Sequence, residues 1–247
     1  TTLSIEMKIR ATTIGTYTVT LTSPFITSLR SVYEYPVSTF AIVDQDGING
    51  IGEAVATPAI VGDSAIEIEL HSLSMLLIGK ELSVEEISSL SRTGGYHPST
   101  MAAIDLALLD YQAKTNNQSI QQYLGINQNA ISTDVTIPIC EIRDLEKIVK
   151  ERSQFESFKI KLNDDSIDRN VSKLMRIKEL QPEVNLRVDP NQAWDVSYSI
   201  RFLEKLNENK IIIEYLEQPI DRYDYAGMAE IKKNISTPIM ADEACFT

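Results

Sequence analysis

From about residue 130 onward, short β-prone runs alternate with helix-length stretches. The runs are Asp134–Ile139, Phe158–Leu162, Asn185–Val188, Ile211–Leu216 and Pro238–Met240, each parted from the next by room for one helix. Strands alternating with helices of this length build βαβ units and a parallel sheet. In a parallel barrel the C-terminal ends of all strands meet at one face. Whatever ionisable groups end the strands therefore share one neighbourhood.

The first half reads differently. Residues 3–22 are rich in Thr, Ile, Val and Tyr, Val37–Val43 is a second β-prone run, and Asp44-Gln-Asp-Gly47 supplies a turn before Ile48–Glu53. A meander follows from this pattern. Helical spacing then sets in, with Ile66, Leu70, Leu73 and Leu77 in Ser64–Leu77, and Ile104, Leu108 and Tyr111 in Thr100–Gln112. A short helix over Ser119–Leu124 is expected to stop at Gly125. The expected fold is an α+β N-terminal domain over residues 1–127, followed over 128–247 by an α/β barrel of the TIM type, incomplete at about five strands.

Composition narrows the function classes. A chain of 247 residues, 43% hydrophobic, can build a large core, and its net charge of −12 argues against nonspecific nucleic-acid binding and against an anionic membrane surface. No apolar run reaches bilayer length, the N-terminus has no signal-peptide core, and Cys140 and Cys245 make no disulfide framework. A cytoplasmic protein is the simplest expectation. Homo-oligomerisation is left open.

The strand ends carry the chemistry. Lys161, Asp189, Glu217 and Asp242 end successive βα units, at separations of 28, 28 and 25 residues. One acid after a strand is most often a helix N-cap or a solvated loop residue. Four ionisable strand ends in register are harder to explain that way. Three carboxylates converging on one point offer the hard oxygen ligands that magnesium prefers, and no Cys/His cluster at zinc spacing competes.

In Phe158-Lys-Ile-Lys-Leu162, alternation puts Phe158, Ile160 and Leu162 on one face and Lys159 and Lys161 on the other. On an isolated sheet those lysines would simply be solvated. Inside a barrel they need a counter-charge, which the three acids supply. Repulsion between the lysines, together with a nearby metal ion, is expected to lower a lysine pKa, so that a neutral lysine can act as a base.

With these pieces assembled, the chain resembles the enolase superfamily in its muconate-cycloisomerase branch. The resemblance rests on Phe158-Lys-Ile-Lys161, Arg187-Val-Asp-Pro-Asn-Gln-Ala-Trp194, Tyr215-Leu-Glu-Gln-Pro219 and Pro238-Ile-Met-Ala-Asp-Glu243. Thr27-Ser-Leu-Arg-Ser-Val-Tyr33 and Thr57-Pro-Ala-Ile-Val-Gly-Asp63 further resemble dipeptide epimerases acting on L-Ala-D/L-Glu.

That resemblance implies one Mg2+ per active site, held by Asp189, Glu217 and Asp242, and a small-molecule carboxylate substrate, a dipeptide. Lys161 would be the acid/base for the proton alpha to the carboxylate, and Lys159 would stabilise the carboxylate oxygen of an enediolate. Arg30 would bind the distal carboxylate, Thr136 would touch substrate, and Asn191 and Glu243 would orient the ligands. Trp194 is expected to pack. The same branch also includes N-acylamino acid racemases, o-succinylbenzoate synthases and muconate cycloisomerases.

Complete members of the family continue through three more strands beyond the position of Thr247. Those strands hold a second lysine on the opposite face and an Asp-x-Asp motif for the substrate ammonium. The resemblance therefore leads to the expectation of a longer active parent. This chain would then be a shortened or proteolysed piece, a natural truncation, or part of a barrel completed by another chain. With Lys161 alone it is expected to epimerise poorly, and a noncatalytic metal-binding fragment is the competing reading.

Overall fold

The computed structural model describes residues 6–58, 62, 65–127 and 130–245. Residues 3–5 of the first β run, Ala59–Val61 and Asp63 of the Thr57–Asp63 segment, Ser64 and the boundary at 128 lie outside the described residues. By its internal contacts the chain divides into two compact units. One comprises residues 1–23 with 33–130, the other residues 24–32 with 131–247.

The first unit is built on a four-stranded sheet in the order β3-β2-β1-β4, made of β1 (Glu6–Ile26), β2 (Ser31–Asp44), β3 (Asn49–Val55) and β4 (Glu81–Ser83), with the end of β1 from residue 24 and the start of β2 through residue 32 counted in the second unit. The expected turn joins β2 to β3. Asp44 Oδ1 accepts the N–H groups of Asp46 and Ile48, and Gly47 takes a φ of +85°, which glycine adopts without a steric penalty. The antiparallel register then runs from Val43↔Asn49 to Val37↔Val55.

Among the described residues this unit has the helices α1 (Ile66–Leu77), α2 (Val84–Thr93), α3 (Pro98–Thr115) and α4 (Ile120–Tyr123). Ile66, Leu70, Leu73, Leu77, Ile104, Leu108 and Tyr111 are all buried, as helical spacing requires. Helix α4 is capped by Ser119, and Gly125 follows it at φ +67°. The sequence reading missed β4 and α2. The Ser83-Val-Glu-Glu86 segment forms a capping box that starts α2, a local signature that was readable.

The second unit is a five-stranded parallel sheet in chain order, β5-β6-β7-β8-β9. Its strands are β5 (Val135–Ile137), β6 (Ser157–Lys161), β7 (Asn185–Asp189), β8 (Tyr215–Glu217) and β9 (Ile239–Met240). Helices α5 (Ile142–Glu151), α6 (Ile167–Leu180), α7 (Val196–Glu208) and α8 (Tyr225–Asn234) connect them. No barrel closure is seen among the described residues, which is the incomplete α/β barrel expected.

Strands β5, β8 and β9 are shorter than their β-prone runs. Of Ile211–Leu216 only the end is strand, because the chain leaves α7 through Lys210 at φ +56° and must first turn. Phe158, Ile160, Leu186, Val188 and Leu216 form the core with Leu174, Ile177, Phe202 and Leu206 from the helices. No described helix is long and apolar enough to cross a membrane.

Candidate metal centre and active site

Strand β6 shows the alternation expected of it. Phe158 and Ile160 are buried in the core, while Lys159 and Lys161 share the other face. Parallel pairing fixes the neighbours on that face: Thr136 is opposite Lys159, Lys159 opposite Arg187, and Lys161 opposite Asp189. Strand β8 adds Glu217 at its last position, and Asp242 lies two residues beyond the end of β9. The strand ends therefore bring Lys159, Lys161, Asp189, Glu217 and Asp242 together.

Asp189, Glu217 and Asp242 each offer an oxygen, and these oxygens lie within 4.8 Å of one another. Asp189 is fully buried, Glu217 nearly so, and Asp242 is exposed. None of the three is an N-cap; Ser166, Asp195 and Asp224 cap α6, α7 and α8. Capping thus does not account for the three acids.

The ammonium groups lie on these acids. Lys161 donates to Asp189 Oδ2, and also to Asn191 Oδ1 at 2.9 Å. Lys159 reaches Glu217 Oε1 at 2.7 Å and Asp189 Oδ2 at 3.0 Å. Burial alone would push Lys159 down. The Asp189 charge and the hydrogen bonds to Glu217 and Asp189 outweigh it and hold the ammonium above the ordinary lysine value. This is the reverse of the direction that repulsion between the lysines would give. Glu217 moves up, because burial and the Asp189 charge together exceed the help of its Lys159 hydrogen bond.

The loop after β7 is held tightly. Asn191 N–H donates to Asp189 Oδ1 at 2.9 Å, and Asn191 Nδ2 donates to Glu243 Oε1 at 3.1 Å. Asn191 and Gln192 both take positive φ, +46° and +67°, a conformation that side chains disfavour and that concentrates at functional sites. Burial raises the Glu243 carboxyl above its ordinary value. Asn191 and Glu243 thus stand in one hydrogen-bonded line with Lys161.

Arg30 is half-buried, in a turn where Thr27 N–H donates to Arg30 O and Thr27 Oγ1 accepts from Arg30 N–H. The sequence reading passed over Ser28, whose hydroxyl lies 2.7 Å from Pro190 O and 2.9 Å from Asn191 O. It also passed over Phe25, whose ring centroid is 5.9 Å from Lys161 Nζ. No local signal marks either contact.

Arg187 could have been found, since it precedes Asp189 by two residues and so shares its face. It bridges Asp134 at 2.9 Å and Glu214 at 2.6 Å. Trp194 packs on Tyr198 and Phe202 with ring centroids 4.7 Å away in each case.

Known proteins resemble this chain in sequence and fold. Residues 9–125 match the mandelate racemase / muconate lactonizing enzyme N-terminal domain, and residues 141–247 match the enolase C-terminal domain-like family. An L-Ala-D/L-Glu epimerase of Bacillus subtilis (strain 168) is 33% identical over 251 residues, covering 98% of this chain and 68% of that protein. The chain belongs to the enolase superfamily.

Other superfamily members fit the same picture. A substrate-liganded L-Ala-D/L-Glu epimerase from Bacillus subtilis superposes with a TM-score of 0.92 at 32% identity, over 98% of this chain and 69% of that one. A dipeptide epimerase from Enterococcus faecalis V583, complexed with Mg and the dipeptide L-Leu-L-Tyr, gives 0.88 at 27% identity, over 97% and 69%. An N-succinyl-L-Arg/Lys racemase of Bacillus cereus (strain ATCC 14579) is 29% identical over 96% of this chain and 66% of that protein. The relatives are isomerases acting on amino acid derivatives, and this chain spans about two thirds of their length. In superfamily terms, the first unit is the capping domain and the five-stranded sheet belongs to the barrel domain.

Proposed function

We propose that this chain carries the metal cradle and one base of a Mg-dependent epimerase of dipeptides of the L-Ala-D/L-Glu type. The observation that carries this reading is the convergence of three carboxylate oxygens within 4.8 Å beside Lys159 and Lys161. The donor set fits the metal: all three ligands are hard oxygens, and magnesium commonly keeps waters or substrate oxygens in its remaining positions. A divalent cation held by Asp189, Glu217 and Asp242 supplies positive charge where a substrate carboxylate becomes more negative.

The protein's own groups do the rest. Lys161, as the neutral amine, takes the proton alpha to the carboxylate and becomes the ammonium, and Lys159 sets its own ammonium against the carboxylate oxygen. Asn191, braced by Glu243, orients Lys161 through its Oδ1. Arg30 pairs with the distal carboxylate of a glutamyl residue, and Thr136, next to Lys159 in the sheet register, contacts substrate. The epimerase relatives support the dipeptide as substrate.

Exchange of the substrate α-proton in D2O tests this reading, because it needs one base only. L-Ala-L-Glu should incorporate deuterium in the presence of Mg2+, and Lys161→Ala should abolish the incorporation. No metal-dependent exchange would leave the noncatalytic metal-binding fragment as the better description. Racemisation of N-acylamino acids is the second reading, favoured by the N-succinyl-L-Arg/Lys racemase relative. Exchange of an N-succinylamino acid without exchange of any dipeptide would select it.

A further inference from the structure

The three metal-ligand loops meet at one residue that the proposed chemistry does not use. Gln218 follows Glu217 at the end of β8 and is fully buried. Its N–H donates to Met240 O at 2.9 Å, on the strand that leads to Asp242. Its C=O accepts the Gln192 N–H at 2.8 Å, on the loop that follows Asp189. Its side-chain Oε1 accepts two backbone N–H groups, those of Asp242 and Ala244, each at 3.0 Å. Its Nε2 donates to Ile220 O at 3.1 Å. Every hydrogen-bonding atom except one Nε2 hydrogen thus has a named use.

The backbone holds this position at a cost. Gln218 has φ +31°, in the region that favours glycine, although it carries a long side chain. A strained, fully buried polar residue persists only where its surroundings over-determine it. Here they do, because β9 ends at Met240 and Asp242 lies beyond the ladder. Two N–H groups aimed at one amide oxygen anchor the loop that presents this exposed acid.

We infer that Gln218 is the positioning residue of the metal centre. Its amide oxygen fixes the Asp242 loop, and its backbone ties that loop to the ends of β7 and β8, setting the spacing of the three carboxylates. It touches neither substrate nor reacting atoms. The inference rests on the metal reading above and adds to it the group that sets the geometry of the cradle. Groups that hold metal ligands in place typically contribute tenfold to a hundredfold in metal affinity.

Mn2+ titration of the chain tests this, with free Mn2+ followed by electron paramagnetic resonance and folding checked by circular dichroism. Gln218→Met keeps the side-chain length and removes the acceptor. Gln218→Asn keeps an amide but withdraws it by one methylene, and carries the test where the Met variant folds poorly. Each should weaken Mn2+ binding about tenfold or more. In an Asp242→Asn background the same changes should add less than about twofold, because they act through Asp242.

A lower melting temperature with unchanged Mn2+ affinity would make Gln218 a purely structural residue and overturn the inference. Losses that multiply with Asp242→Asn would do the same. Absence of Mn2+ binding by the unaltered chain would remove the metal reading itself, and this inference with it.

Discussion

Lys161 and Asp189 are register partners on adjacent parallel strands, and the Lys161 ammonium donates directly to the Asp189 carboxylate. Asp189 is fully buried and also accepts from Lys159 at 3.0 Å, so one carboxylate faces two ammonium groups. The pairing ties stability to chemistry. The acid that would hold a metal also pairs with the ammonium of the residue proposed as the base.

Asp189→Asn should therefore destabilise the metal-free chain strongly, by about 3–5 kcal/mol, because it leaves buried ammonium charge uncompensated. Asp242→Asn, at an exposed position, should change metal-free stability by about 0.5 kcal/mol or less. Urea unfolding in the presence of a chelator measures both. Equal losses would mean that burial does not distinguish the two acids, contrary to the geometry.

In the capping domain, buried Tyr111 donates its hydroxyl to Asp44 Oδ2 at 2.9 Å, while Asp44 Oδ1 holds the β2–β3 turn. Burial, and then the hydrogen bond to Asp44, push the Tyr111 hydroxyl from the ordinary 10.0 up to about 12. The neutral phenol is the form that folding favours. Its contribution is complete below pH 10.0 and is lost as pH rises towards about 12. Tyr111→Phe should flatten this decline in stability and remove the latest step from the ultraviolet phenolate titration. A Tyr111 that ionises with the solvated tyrosines would contradict the buried pairing.

Much of this site was legible because strand alternation is local. Phe158, Ile160 and Leu162 against Lys159 and Lys161 need only the two-residue period, and the acids ending β7 and β8 need only the strand ends. What escaped was long-range. Ser28 meets Pro190 across 162 residues of sequence, and Gln218 Oε1 meets Asp242 N–H across 24. The placement of residues 24–32 with the barrel rather than the capping domain has the same cause. Helix α2 escaped for a different reason. Its apolar contribution is small, with Val84 and Ile87 as its buried hydrophobic residues, so the capping box was its main mark.

Close packing of α3 on β3 makes two glycines obligatory. A Cβ on Gly52 would stand 1.9 Å from Ala103 O, and one on Gly50 the same distance from Ala107 O. Both obstacles are backbone, so no side-chain rotation relieves them. Gly52→Ala and Gly50→Ala should each cost about 2–3 kcal/mol, read as a fall in the thermal midpoint. Neutral substitutions at both positions would mean that α3 sits farther from β3 than described.

Ser28 gives a prediction about specificity. Its hydroxyl lies 2.7 Å from Pro190 O and 2.9 Å from Asn191 O, so the turn bearing Arg30 is pinned to the loop that follows Asp189. Thr27 keeps the turn closed from within, accepting the N–H groups of Leu29 and Arg30. Ser28→Ala therefore removes the pin and leaves the turn itself intact. The loss in stability should be about 1 kcal/mol, since one exposed hydroxyl is deleted. If Arg30 binds the distal carboxylate, KM for α-proton exchange of L-Ala-L-Glu should rise severalfold with kcat nearly unchanged, because Lys161 is not disturbed. A dipeptide with an apolar second residue should show no such rise. An equal KM increase for both substrates would place the effect on the metal loop instead, and would take Arg30 out of the specificity determinants.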